Sequence, residues 1–141
     1  QVLLNLLDNA VKYGRAGQSI TIAAQLADAN ESPEHAAVPH RAVRLTVSDE
    51  GPGIPTSDRE RVWSPYVRLR ANGSGAPRRT GSGIGLAVVR ELVEAMRGRT
   101  WVQSAHGDGR GAKFVIELPP TTEAPMHNDD AVLGLTSRVM K

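Results

Sequence analysis

Two glycine-rich stretches, Asp49-Glu50-Gly51-Pro52-Gly53 and Gly81-Ser82-Gly83-Ile84-Gly85-Leu86, follow a helical pattern that begins Gln1-Val2-Leu3-Leu4-Asn5-Leu6-Leu7-Asp8-Asn9-Ala10. Glycine is demanded where backbone takes positive φ or closely approaches a ligand, so the two clusters together point to a nucleotide pocket. Their spacing excludes the two commonest phosphate loops. No Gly-x-x-x-x-Gly-Lys-Ser/Thr occurs, and the run from Gly81 does not complete Gly-x-Gly-x-x-Gly because Leu86 stands at the last glycine position. A different nucleotide fold is required.

At 141 residues and 40% hydrophobic composition the chain is long enough for one domain, and with only 4% aromatics its core must be aliphatic. Net charge is +2 with no long run of one sign, which argues against a nucleic-acid tail or a polybasic membrane anchor. The absence of cysteine removes disulfides, thiolate metal sites and cysteine nucleophiles and suits a reducing compartment. No apolar run reaches ~18 residues and no signal-peptide pattern is present, so a soluble piece is expected. Gln1 already lies inside a helical pattern without a cap, as in a piece of a longer protein.

On a helical wheel Gln1, Asn5, Asp8, Asn9 and Lys12 share an arc of about 100°, opposite Val2, Leu3, Leu6, Leu7, Ala10 and Val11. Alternation predicts strands through Ile20–Leu26 and Val43–Val47, the second ending at Asp49. Residues 29–40 read as a surface loop. Ser57-Asp58-Arg59-Glu60 has the spacing of a capping box, predicting a short helix that carries Arg61, Val62 and Trp63. Residues 67–80 lack periodicity and read as a mobile loop. The helix after Gly85 aligns Leu86, Val89, Leu92, Val93 and Met96, with Gly98 as its C′ residue. A hairpin pairs Trp101–Ser104 with Ala112–Leu118, and from Pro119 onward a loose tail is expected. This order predicts an α+β fold, a two-layer α/β sandwich with a mixed, mostly antiparallel sheet and helices on one face.

Read in order, Asn5-Leu6-Leu7-Asp8-Asn9-Ala10-Val11-Lys12-Tyr13, Asp49–Pro55, Trp63-Ser64-Pro65-Tyr66-Val67-Arg68, Gly81–Leu86 and Gly109-Arg110-Gly111-Ala112-Lys113-Phe114 resemble the N box, first glycine box, F box, second glycine box and last glycine element of one family. The chain is similar to the catalytic ATP-binding domain of sensor histidine kinases, within the GHKL superfamily that includes gyrase, Hsp90 and MutL. The resemblance runs to Pro119, implying a catalytic domain over 1–119 and a disordered tail over 120–141. Trp63 and Tyr66 stand where the family usually has phenylalanine, and Thr80 where a further glycine is common.

The resemblance implies ATP and Mg²⁺ as cofactors. Asn9 offers an amide oxygen suited to a hard cation. Asn5 stands where ATP-hydrolysing relatives have a glutamate base, and an amide lacks that basicity, so kinase is favoured over ATPase. Lys12 is placed to meet phosphate and Tyr13 to line ribose or adenine. Asp49 would accept from the exocyclic amine of adenine, with Gly51, Gly53 and Ile54 beside it. The second glycine box, Gly81, Ser82, Gly83, Ile84, Gly85 and Leu86, presents amides at a helix N-terminus for phosphate. Thr80 borders it, and Arg68, Arg78 and Arg79 are candidate lid contacts, although the arginine pair reads equally well as a solvated loop.

Taken alone, Asn5 and Asn9 would be solvated helix residues and Asp49 a turn aspartate; the surrounding boxes reverse that weighting. His35, His40, His106 and His127 have no ligand spacing and none lies in a phosphoacceptor context. The resemblance therefore implies that the accepting histidine sits on a separate dimerisation domain, that a response regulator receives the phosphoryl group, and that the fragment works in the cytoplasm without nucleic-acid or membrane contact. Three alternatives stay open: a GHKL ATPase using Asp8 as base, an anti-sigma-type serine kinase, and an interaction domain without nucleotide.

Overall fold

Helix α1 spans Val2–Tyr13 and buries Leu6 and Ala10, one turn apart on the apolar side of the wheel. The computed structural model describes residues 1–28, 41–69, 81–107, 109–119 and 133–138. The predicted loop at 29–40 and the lid residues Arg78, Arg79 and Thr80 lie outside the described residues. Strands β1 (Ser19–Asp28) and β2 (Arg41–Ser48) pair antiparallel, with Ile22 opposite Val47. Two 3₁₀ turns, Thr56–Asp58 and Arg61–Trp63, precede helix α2 (Gly85–Ala95). Strands β3 (Arg99–Ser104) and β4 (Ala112–Leu118) form the expected hairpin, and β5 (Leu133–Arg138) completes the sheet.

The sheet order is β3-β4-β2-β1-β5 and every neighbouring pair is antiparallel, so the expected α+β sandwich is present with no parallel pair in its sheet. Period-two alternation turns Val47, Val102, Phe114 and Ile116 into one core with Leu6, Ala10, Val89 and Val93 of the helices. Trp63 closes its end, edge-on to Phe114 with centroids 5.9 Å apart. Each fully buried aliphatic side chain contributes about 1.5–3 kcal/mol, and Leu6, Ile20, Val47, Val89, Val93 and Ile116 are all in this class.

The other sheet face is polar. Glu117 sits between Arg44 (2.8 Å) and Arg99, and both guanidiniums stack on Trp101 at 5.7 and 5.4 Å. Burial works against ionisation of Glu117, but the hydrogen bonds and charges of the two arginines outweigh it and hold the carboxyl below the usual range.

Four local expectations are corrected. Ser57 lies inside the first 3₁₀ turn and neither turn has a side-chain cap, so there is no capping box; Pro55 takes the cap position and its fixed φ starts the turn instead. Leu92 and Met96 remain exposed: α2 packs on α1, β3 and the second 3₁₀ turn, and among the described residues neither side chain joins the core. The loose tail expected from residue 120 does not hold over Leu133–Arg138, which lie along the outer edge of β1, with Leu135 opposite Ile22. A free edge offers unpaired amides and carbonyls, and a short alternating segment satisfies them.

The last correction concerns the end of α2. The left-handed residue is Arg97 (φ 58°), not Gly98: Arg97 N donates to Glu94 O (2.8 Å) and Gly98 N to Val93 O (2.9 Å), a Schellman pair. Gly98 is needed for another reason, since a Cβ there would stand 2.5 Å from Glu117 O. Arg97→Gly removes the left-handed penalty and is expected to stabilise the fold by about 1 kcal/mol. A urea midpoint that fails to rise would refute this account of the turn.

Candidate functional site

The C-terminal end of β2 places Asp49 at the edge of the core, 7% exposed. Its Oδ1 accepts from Gly51 N (2.8 Å) and Ala112 N (3.1 Å), and its own amide donates to Ala112 O (2.9 Å). Oδ2 makes no hydrogen bond among the described residues and is the oxygen left to recognise a ligand donor. Burial raises the pKa of this carboxyl and the two backbone amides lower it; burial prevails and the net shift is upward.

Sequence reasoning assigned Gly51 and Gly53 to close approach of a ligand. The structure gives them an internal task as well. A Cβ on Gly53 would lie 2.4 Å from Gly109 O, and one on Gly51 would lie 2.9 Å from Asp49 Oδ1 and 3.3 Å from Tyr13 O. Gly111 donates to Gly51 O (2.9 Å), has φ 68°, and has room for no Cβ, which would sit 2.3 Å from Asp49 O. First and last glycine elements are thus interlocked, 60 residues apart in sequence, and the lock is what aims Asp49. Ile54, expected beside the ligand, packs partly against the core.

On α1, Asn9 Nδ2 is buried without a partner, and its Oδ1 is bonded to no described residue. A buried amide N–H₂ without an acceptor is rare unless something else completes it. Asn5 is fully engaged: Nδ2 donates to Gly85 O (3.2 Å) and Oδ1 accepts from Gln1 Nε2 (3.1 Å). It acts as a tie between α1 and the first turn of α2. Lys12 Nζ lies 2.5 Å from Asp8 Oδ2, an exposed i,i+4 pair worth about 0.3–0.5 kcal/mol, which a phosphate could readily displace. Tyr13 is exposed, its hydroxyl 3.8 Å from where a Cβ of Gly81 would be.

The second glycine box opens α2. No side chain caps this 11-residue helix, so the amides of Gly85, Leu86 and Ala87 point outward with the positive end of the dipole. Ile84 N bonds Ser82 Oγ (3.4 Å), which shapes the approach. Gly83 (φ 72°) accepts from Tyr66 N (2.9 Å), and a Cβ on it would lie 3.0 Å from Tyr66 Cα. Tyr66 itself has φ 66° and is 75% exposed, so this end of the F-box segment is pinned by the backbone of Tyr66, while the buried ring of Trp63 anchors the other end. Arg68 and Ser82 are exposed beside it, and Leu86 is partly buried against the core.

Two residues with evident roles escaped the sequence pattern. Ala112 supplies the second amide to Asp49, and Gln18, 5% exposed, bridges α1 to the first glycine box. Neither carries a signal, since Ala112 acts through its own backbone amide on a carboxylate 63 residues away and Gln18 acts on backbone groups 8 and 32 residues away. A shallow cavity of about 150 Å³ on the polar sheet face, lined by Arg44, Thr46, Trp101 and Lys113 among others, shares no residue with this site.

Residues 1–122 match the family described as histidine kinase-, DNA gyrase B-, and HSP90-like ATPase. An adaptive-response sensory kinase SasA from a Synechococcus species is 43% identical over 122 residues, covering 84% of this chain and 27% of that protein. The SasA of Parasynechococcus marenigrum is 39% identical, again over 84% of this chain and 27% of its own length. The chain therefore spans about a quarter of the length of these relatives. Among solved structures, a mycobacterial sensor histidine kinase, MprB, superposes with TM-score 0.61 at 28% identity, covering 84% of this chain and 67% of that one. Full-length ShkA in complex with AMPPNP gives TM-score 0.57 at 32% identity, covering 89% and 22%.

Proposed function

The chain belongs to the histidine kinase-, DNA gyrase B- and HSP90-like ATPase family, and from that premise we propose that it is the ATP-binding catalytic domain of a sensor histidine kinase. The observation that carries the nucleotide assignment is the divided carboxylate of Asp49, one oxygen fixed by two backbone amides and the other free for the amine of adenine. Guanine presents a carbonyl at that place, so GTP meets acceptor against acceptor and loses on the order of 1.5–3 kcal/mol. ShkA, which is similar to this chain, has been seen with an ATP analogue, in agreement with the same ligand class here.

Phosphates fall to the uncapped first turn of α2, with Lys12 able to leave Asp8 for them. Mg²⁺ suits the side-chain oxygen of Asn9, since the cation prefers oxygen ligands and Asn9 Oδ1 is bonded to no described residue, whereas the orphaned Nδ2 is a donor that awaits an acceptor and not a cation. When bound, the ion neutralises charge on the phosphate oxygens. Asn5, with both amide ends occupied and no basicity, does not activate water. Transfer rather than hydrolysis follows: the bond from the γ-phosphorus to the β-bridging oxygen breaks, a phosphorus–nitrogen bond forms on a histidine of a separate dimerisation domain, and ADP leaves. A response-regulator aspartate is the onward acceptor, and the work takes place in the cytoplasm. Residues 1–119 carry every element of the proposed catalytic domain's site, and strand β5 adds to the edge of the same sheet.

Titration with a fluorescent ATP analogue, with and without Mg²⁺, tests the core of this assignment. Saturable binding that ATP and ADP displace and GTP displaces poorly is expected; no saturation at millimolar nucleotide would overturn it. Steady hydrolysis by the chain, abolished by Asp8→Asn, would favour an ATPase instead.

A further inference from the structure

We infer that Gln18 is a positioning residue that sets the adenine-recognising loop against the metal-bearing helix; this rests on the nucleotide assignment above. Gln18 lies in the turn between α1 and β1, and its side chain is 5% exposed. Nε2 donates to Ala10 O (2.6 Å) and Oε1 accepts from Glu50 N (3.2 Å). Ala10 directly follows Asn9, and Glu50 directly follows Asp49. One amide therefore spans the backbone next to the metal candidate and the backbone next to the adenine candidate.

The surroundings make the bridge specific. Gly14 leaves the space that the Gln18 amide fills, since a Cβ there would lie 1.6 Å from Nε2. The same turn and the first residue of β1 hold Glu50 twice more: Arg15 Nε donates to Glu50 O (3.1 Å) and Ser19 N to Glu50 Oε2 (3.2 Å). Those two contacts are exposed or half-buried, whereas the Gln18–Ala10 bond is buried and so least exchangeable with water. Gly51, next in the chain, packs where its Cβ would be 3.3 Å from Tyr13 O, so a shift of Glu50 moves the residue whose amide orients Asp49. Loss of the bridge lets the loop that carries Asp49 drift relative to Asn9, and catalytic positioning tolerates little drift.

The test compares wild type with Gln18→Met, which keeps the volume and loses both hydrogen bonds, by calorimetric titration with ADP and GDP. A structural role alone would lower the melting temperature and leave the ADP-to-GDP affinity ratio of the folded protein unchanged. The positioning role predicts that the ratio falls about fivefold or more while circular dichroism stays native, because Asp49 no longer meets the base in register. Gln18→Glu, which retains the acceptor for Glu50 N but sets a buried carboxylate oxygen against Ala10 O, is expected to lower the ratio at least as far as Gln18→Met. An unchanged ratio in folded Gln18→Met overturns the inference alone; failure of wild type to bind ADP overturns it together with the nucleotide assignment. Should neither variant fold, hydrogen exchange on wild type decides: a Glu50 amide protected at the level of the core supports the bridge, and one exchanging like an exposed amide overturns it.

Discussion

Asp49→Asn is expected to weaken ATP binding roughly a hundredfold, about 3 kcal/mol, while leaving the fold as stable as wild type or more so. The two halves of that result have one cause. Asn at 49 keeps an oxygen for Gly51 N and Ala112 N, and those two donors prevent it from turning over. Its NH₂ must then face the amine of adenine, donor against donor, where the wild-type carboxylate offered a charged acceptor.

Stability follows from the sign of the pKa shift. Burial raises the folded-state pKa of Asp49, so its favourable contribution is complete below the unfolded value and is lost as pH rises through the raised folded value. At neutral pH the ionised carboxylate is thus a cost of the site, and a neutral amide removes it. Calorimetric titration and a nucleotide-free thermal melt check the pair of effects; a variant that binds ATP normally, or one that melts well below wild type, would contradict the assignment. The same shift predicts that wild-type ATP affinity declines on acidification from a pH above the ordinary aspartate range, because the protonated carboxyl no longer offers two acceptors. Asp49→Asn should not show that decline.

What could be read from the chain and what could not divides along sequence separation. The helix of Leu6 and Ala10, the alternation of Val43, Leu45 and Val47, and the glycine clusters are local signals, and each appears where expected. The candidate nucleotide site could be proposed from sequence because its side chains sit at fixed places within short motifs. Their orientation was not. Asp49 is aimed by amides from Gly51 and Ala112, and Gln18 works through carbonyl and amide groups whose residue identities are immaterial. A backbone partner leaves no trace in composition or period. The Schellman turn at Arg97 misled for a related reason: the glycine beside it was placed by contact with Glu117 O, a long-range demand that looks identical to a local one. Strand β5 likewise depends on the open edge of β1, which exists only once the sheet is built.

Asn9→Ala is expected to remove the Mg²⁺-dependent part of ATP affinity and to abolish phosphoryl transfer in the proposed full-length kinase, while the melting temperature of the chain holds or rises slightly. Nδ2 of Asn9 is buried without a partner, a condition that costs about 1–3 kcal/mol in a folded protein, so truncating it relieves a penalty as well as losing contacts. A structural asparagine would behave in the opposite way, since its removal would orphan the groups it served. Neighbouring Ala10 and Leu6 already fill the core beneath this turn of α1, so little packing depends on Asn9 itself. The discriminating measurement is ADP affinity with and without Mg²⁺: the ratio should collapse toward one in the variant, with metal-free affinity within about twofold of wild type because Asp49 and the α2 amides are untouched. Retention of the full Mg²⁺ effect by a folded variant would place the metal on other oxygens. Asn5→Ala supplies the contrast, since it breaks the bond to Gly85 O and should disturb the phosphate turn of α2 whether or not Mg²⁺ is present.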